Sequence, residues 1–222
     1  MRIFGIDPGS ERTGYGCVET DGSRHRIVVC GAISSPALTS FPDRLLRIHR
    51  QLTLILDECH PDCAAIENLF HSVNVRSALK LGHARGVAML AAIEAGVPVF
   101  EYTPAEIKRA VVGHGRAEKP QVQQMVKLLL GLSAVPAPHD AADALAVAIC
   151  HVHSQAPARA AGRGSQVAPP RSHATSWRTY RPASAPALEA LRQGKPSALE
   201  ALRRDKPASA LETLRRGKPA RS

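Results

Sequence analysis

The order of hydrophobic periodicities along the first half of the chain is the strongest constraint on its fold. Three short runs rich in Val, Ile, Cys and Tyr come first, at residues 2–7, 14–20 and 26–34, separated by Pro8-Gly9-Ser10 and Asp21-Gly22. Runs of this kind bounded by turn residues are strands, and Asp-Gly between two of them signals a hairpin. From residue 42 the period changes. Leu45, Leu46, Ile48, Leu52, Ile55 and Leu56 recur at helical spacing, Arg44, Arg47 and Arg50 lie between them, and Pro61 ends the run. Residues 62–67 form a fourth strand, and its Cys63-Ala64-Ala65-Ile66 interior predicts burial on both faces. A long helix over 74–95 stops at Gly96, and 97–102 is a fifth strand. A meander followed by strand–helix–strand crossovers predicts an α/β domain, a mixed five-stranded sheet with flanking helices. Right-handed crossovers place strands one and four side by side.

Three more helices complete the domain. Thr103-Pro104-Ala105-Glu106 has a cap residue, a proline in the first turn and a glutamate three positions on, so a helix starts there and reaches about Val112. The others cover 122–130 and 141–152, the last entered through Pro136 and Pro138.

The formal charge of +10 is unevenly placed. Residues 155–222 hold 14 Lys and Arg against 4 Asp and Glu, which leaves residues 1–154 balanced. Any nucleic-acid reading of the first 154 residues must therefore rest on local clusters. The expected organisation is one domain over 1–154 and a basic, low-complexity tail over 155–222 whose Pro, Ala, Ser, Gly and Arg content predicts disorder. Within the tail, the pattern of 187–196 returns at 198–207 and 210–219, each unit too short for a stable isolated helix. It reads either as a drifting passive extension or as a basic tether for DNA.

Several classes are excluded. The longest apolar run of the first half, Val87 to Ile93, falls far short of the ~18 residues of a membrane span. Asp7 interrupts any signal-peptide core, so a cytoplasmic protein is expected. Five cysteines, at 17, 30, 59, 63 and 150, are odd in number and irregular in spacing, which predicts reduced thiols. Cys59 and Cys63 lack a second Cys/His pair at zinc spacing.

Chemistry concentrates in four acids. Asp7 ends strand one and Glu67 ends strand four, at the edge of an α/β sheet where sites form. Neither has a basic partner nearby in the chain, so their burial together is repulsive unless a cation intervenes. Asp140 and Asp143 share one face of the last helix, with alanines between them. Singly each acid has a plain structural explanation, Asp140 as a helix N-terminal acid and Asp7 as a turn former. Together, four oxygen ligands select hard cations, Mg2+ or Mn2+, and their charge suits two divalent ions. Lys108, Arg109, His114, Arg116 and Lys119 surround Gly113 and Gly115 in a basic window fit to hold phosphate. Arg76, Lys80 and His83 give the long helix a second basic edge, while Gly82 and Gly86 permit close approach of another helix. Phe70 follows the fourth strand, where an aromatic can protrude and unstack a base or pack as a buried staple. An aromatic content of 4% argues against a general single-strand binder.

These motifs, GIDPGS at 5–10, TGYG at 13–16, AIE at 65–67, SALKLG at 77–82, ARG at 84–86, PVFEY at 98–102, VVG at 111–113, AEK at 117–119 and DAADALA at 140–146, closely resemble the RuvC-type Holliday junction resolvases in order and spacing. The resemblance covers residues 1 to about 153 and leaves the tail outside. It implies a ribonuclease H-like fold and a homodimer that cuts four-way DNA junctions by symmetric paired nicks, with two Mg2+ per active site replaceable by Mn2+. It implies the RuvA–RuvB branch-migration complex as a partner and no membrane. The family's catalytic, metal-binding acids match Asp7, Glu67, Asp140 and Asp143; its basic residues near the scissile phosphate match Lys108 and Lys119; its junction-probing aromatic matches Phe70. His139, adjacent to the last acid pair, is a further candidate for metal binding. Two other classes remain to be weighed: a sugar-kinase or actin-like ATPase, suggested by Asp-Pro-Gly-Ser before Thr-Gly but requiring two lobes, and a noncatalytic nucleic-acid module, for which four intact acids are superfluous.

Overall fold

The computed structural model describes residues 1–68 and 74–160. Over them the chain forms β1 (Arg2–Asp7), β2 (Arg12–Thr20), β3 (His25–Ser34), α1 (Phe41–Cys59), β4 (Cys63–Glu67), α2 (Val75–Glu94), β5 (Val99–Tyr102), α3 (Pro104–Val112), α4 (Lys119–Leu129) and α5 (His139–Ala160). The strands form one sheet in the order β3-β2-β1-β4-β5. The meander β1–β2–β3 is antiparallel, and β4 and β5 join it parallel to β1, with Ile3 opposite Cys63 and Ile6 opposite Ile66. The mixed sheet and the β1–β4 neighbours are those expected from the sequence.

Local chemistry accounts for the places where elements depart from the expected bounds. The β2–β3 connection is a four-residue loop rather than a tight two-residue turn, because the Asp21 carboxylate accepts the backbone N–H of Ser23 at 2.9 Å and of Arg24 at 2.8 Å. α3 opens with the Thr103/Glu106 capping box that its sequence predicts. α4 begins three residues before Val122, because Gln121 reaches back to the Glu118 N–H at 2.8 Å and Pro120 suits the first turn. α5 starts at His139 and continues past residue 154 to Ala160.

Strand alternation divides the core into two layers. Ile3, Val18 and Ala65 pack with α3, α4 and α5 on one face; Phe4, Ile6, Cys17, Ile66 and Val99 pack with α1 and α2 on the other. Every residue of α5 from Ala141 to Cys150 is buried except Asp143, as expected of a helix covered on all sides. Two glycines let α5 sit directly on the sheet. A Cβ on Gly5 would lie 2.0 Å from the Ala144 carbonyl oxygen, and one on Gly14 would lie 2.0 Å from that of Asp140. None of the five thiols is joined in a disulfide. Among the described residues, no helix is long and apolar enough to cross a membrane. Phe70 and residues 161–222, with the repeats, lie outside the described residues.

Candidate active site

Parallel pairing of β1 with β4 carries Asp7 and Glu67 to the same end of the sheet, each one residue beyond the Ile6–Ile66 pair. Alternation turns both side chains toward α5, the face on which Gly5 and Ala65 meet that helix. Asp7, Glu67 and Asp143 of α5 line one cavity of about 300 Å³, together with Lys108 of α3 and Lys119 of α4. Three of the four expected acids and two of the expected basic residues therefore share one space.

The electrostatics are those of a crowded acidic site. Burial, then the charges of Glu67 and Asp143, push the Asp7 carboxyl up to about 8, so it stays protonated at neutral pH and hydrogen-bonds Glu67. Burial also raises Glu67 above the usual carboxylate range. Lys119 counters part of this charge: its Nζ stands 2.5 Å from Asp143 Oδ2, and that hydrogen bond raises the lysine pKa.

Asp140 takes a different place. It shares its helix face with Asp143 but sits at the rim, outside the cavity lining, with its carboxylate 4.0 Å from the guanidinium of Arg12. It remains near enough to add to the charge felt by Asp7. Arg12 was not among the residues singled out from sequence; its position just before Thr13-Gly14 at the start of β2 was the available signal.

The donors are all carboxylate oxygens, which suits a hard divalent cation. Among the described residues, no three His, Cys, Asp or Glu side chains are drawn together closely enough to hold an ion as they stand. Asp143 is engaged by Lys119, and Asp7 and Glu67 share a proton. This donor set fits a divalent ion provided those contacts exchange, because an ion supplies the positive charge that the proton and the ammonium now provide.

The remaining candidates disperse. Arg116 is exposed in the α3–α4 connection, and His139 is exposed at the first residue of α5. Arg76 and Lys80 are exposed on α2, away from the cavity lining, with Lys80 Nζ 5.8 Å from the centre of the Phe41 ring.

A mixed sheet in this order, with helices on both faces and acids at the ends of β1 and β4, defines a ribonuclease H-like protein. The chain belongs to the crossover junction endodeoxyribonuclease RuvC family, whose sequence model matches residues 3–151. It is 53% identical over 182 residues to the crossover junction endodeoxyribonuclease RuvC of Trichlorobacter lovleyi, covering 82% of this chain and all of that protein. It is also 53% identical over 154 residues to that of Alkaliphilus oremlandii, covering 69% of this chain and 94% of the relative. Among solved structures, T. thermophilus RuvC in complex with Holliday junction substrate matches with a TM-score of 0.68 and 36% identity, covering 71% of this chain and 96% of that one.

Proposed function

We propose that this chain resolves four-way DNA junctions by symmetric paired nicks, hydrolysing one phosphodiester in each of two strands with the help of Mg2+. Membership of the RuvC family supports the substrate. The observation that carries the chemistry is the convergence of Asp7, Glu67 and Asp143 with Lys108 and Lys119 on one cavity.

In this reading Asp7, Glu67 and Asp143, with Asp140 at the rim, hold two divalent ions. When bound, the ions activate water and stabilise charge on the departing 3′-oxygen. The chain's own residues do the rest. Glu67 and Asp7 face each other across β1 and β4, so the rigid sheet fixes their separation. Lys108 and Lys119, from two helices, place positive charge where a phosphate enters and offset its repulsion from the acids. The attacking water gives up a proton as its oxygen bonds to phosphorus and the P–O3′ bond breaks, and the leaving 3′-oxygen takes one up, which yields a 5′-phosphate and a 3′-hydroxyl. Arg116, Arg76 and Lys80 contact the arms of the junction through their phosphates, and Phe70 enters the junction centre.

Paired nicks call for two sites, and α2 supplies a face for a second copy. Val75, Leu79 and Leu90 are exposed on it, and no atom lies within 4 Å of a Cβ built on Gly82 or Gly86. The working unit in this reading is a cytoplasmic homodimer that meets the RuvA–RuvB complex on the junction.

The direct test incubates the protein with a synthetic four-way junction and Mg2+. Paired, symmetric nicks dependent on the ion are expected. Absence of cleavage, or equal cutting of linear duplex, overturns the reading.

A further inference from the structure

An ion pair with a buried carboxylate and a partly exposed guanidinium lies on the face of the sheet opposite the cavity, where it lines a second cavity. Glu101 of β5 stands in register with Ile66, so its side chain points toward α2 while Glu67 points toward α5. Only 6% of its side chain is exposed. One oxygen, Oε2, pairs with Arg85 Nη2 of α2 at 2.8 Å and accepts a hydrogen bond from Asn68 Nδ2 at 3.1 Å.

Asn68 is the residue immediately after Glu67. Besides its side-chain bond to Glu101, its backbone N–H donates to the Tyr102 carbonyl at 2.7 Å. β5 therefore grips Asn68 at two points. Because consecutive side chains leave a strand on opposite faces, a backbone twist that swings the Glu67 Cα–Cβ bond away from the cavity also swings Asn68 away from Glu101. That motion would strip a donor from a buried carboxylate.

Stability alone gives little reason for this arrangement. A buried ion pair is often no better for stability than apolar residues of the same volume. Here, among the described residues, it also leaves the buried Arg85 Nε without a hydrogen-bond partner, a further cost that apolar packing would avoid. The network is better explained by what it holds.

We propose that Glu101 is a positioning residue for cleavage: through Asn68 it fixes the direction of the Glu67 carboxylate, and through Arg85 it ties that direction to α2. The role rests on Glu67 being a metal-holding acid, as in the function proposed above. Neither Glu101 nor Asn68 lines the acidic cavity. They act on the ligand behind its own strand, as residues that orient metal ligands do elsewhere.

The experiment compares the full chain with Asn68→Ala, Asn68→Gln and Glu101→Gln. Mn2+ binding without DNA is read by calorimetry, single-turnover cleavage of a four-way junction across a Mg2+ titration, and melting temperature alongside. Asn68→Ala, which leaves the Arg85–Glu101 pair intact, is expected to weaken Mn2+ binding and slow cleavage at limiting Mg2+ by about tenfold or more. High Mg2+ should recover most of the rate, and Asn68→Gln, which keeps an amide donor, should recover part of the affinity. Wild-type Mn2+ affinity and wild-type Mg2+ dependence in Asn68→Ala overturn the proposal, whatever its melting temperature. If Glu101→Gln does not fold, Asn68→Ala decides alone. A wild-type protein that fails to cut junctions overturns the proposed function instead, and the Mn2+ arm still decides whether Asn68 and Glu101 hold Glu67.

Discussion

Gly14 and Asp140 meet backbone against backbone, so that a Cβ on the glycine would lie 2.0 Å from the aspartate's carbonyl oxygen. Gly14 also stands opposite Asp7 in the β1–β2 ladder. One bare position thus sets the height of the acidic end of α5 above the acidic end of β1.

Gly14→Ala is therefore expected to lift α5 and carry Asp140 and Asp143 away from Asp7. The obstacle is backbone, which no change of side-chain rotamer relieves. A displacement of about 1 Å in a positioned group costs about a hundredfold in rate, and a loss of that order in junction cleavage is expected. Single-turnover assays check it, with circular dichroism to follow the fold. Cleavage at the wild-type rate would show that α5 can ride up without consequence.

Neutralising the acids separates cutting from binding. Asp7→Asn, Glu67→Gln and Asp143→Asn should each abolish cleavage while junction affinity, carried by Lys and Arg contacts to phosphate, persists. Gel-shift and nicking assays on the same preparations test both halves. A folded variant that cuts normally removes its residue from the site.

The raised pKa of Asp7 makes a statement about stability without metal. Its carboxyl titrates near 8 in the folded chain and at the ordinary 3.8 when unfolded. Below 3.8 both states are protonated and folding carries no penalty from this group. As pH rises toward 8 the unfolded state loses its proton first, so stability falls across that window and levels off above it. In a chelating buffer Asp7→Asn should therefore melt higher than wild type at pH 8, and the gap should narrow toward pH 5. Added Mg2+ should raise the melting temperature of the wild type more than that of the variant. A gap independent of pH contradicts the assignment.

Removal of residues 161–222 tests the tail. These residues hold most of the excess positive charge, whereas residues 1–154 are balanced. Truncation after Ala160, the end of α5, should preserve junction cleavage, weaken binding to plain duplex at low salt, and flatten the salt dependence because fewer counterions are released. Equal duplex affinity and equal salt slope for the two proteins would make the tail a passive extension.

Much of this architecture is legible in sequence because period-2 and period-3.6 patterns are local. The five strands, the β1–β4 adjacency and the shared face of Asp140 and Asp143 follow from them. What spacing does not report is depth. Asp143 enters the cavity and Asp140 stays at its rim beside Arg12, a difference set by how α5 lies on Gly5 and Gly14. That contact had a trace in the sequence, small residues on β1 and β2 facing an alanine-rich helix, but it becomes readable only when the two are known to touch. The Arg85–Glu101–Asn68 network was hidden for a related reason. It joins α2, β5 and the end of β4 across long sequence separations, and its only local sign is an acid, Glu101, between Phe100 and Tyr102 in an otherwise apolar strand.

The Lys119–Asp143 contact has a consequence for how this protein responds to its surroundings. The ammonium and the carboxylate occupy each other, so in the proposed function a cation that claimed Asp143 would set Lys119 free at the cavity, where a phosphate would arrive. Arg12, 4.0 Å from Asp140 and largely exposed, is held more loosely by its acid. Each acid thus keeps a positive charge in reserve, and loading the acids releases it outward. Thermodynamic reciprocity would make the exchange run both ways: DNA that drew Lys119 off Asp143 would leave a better ligand for the ion, and ion and DNA would strengthen each other's hold.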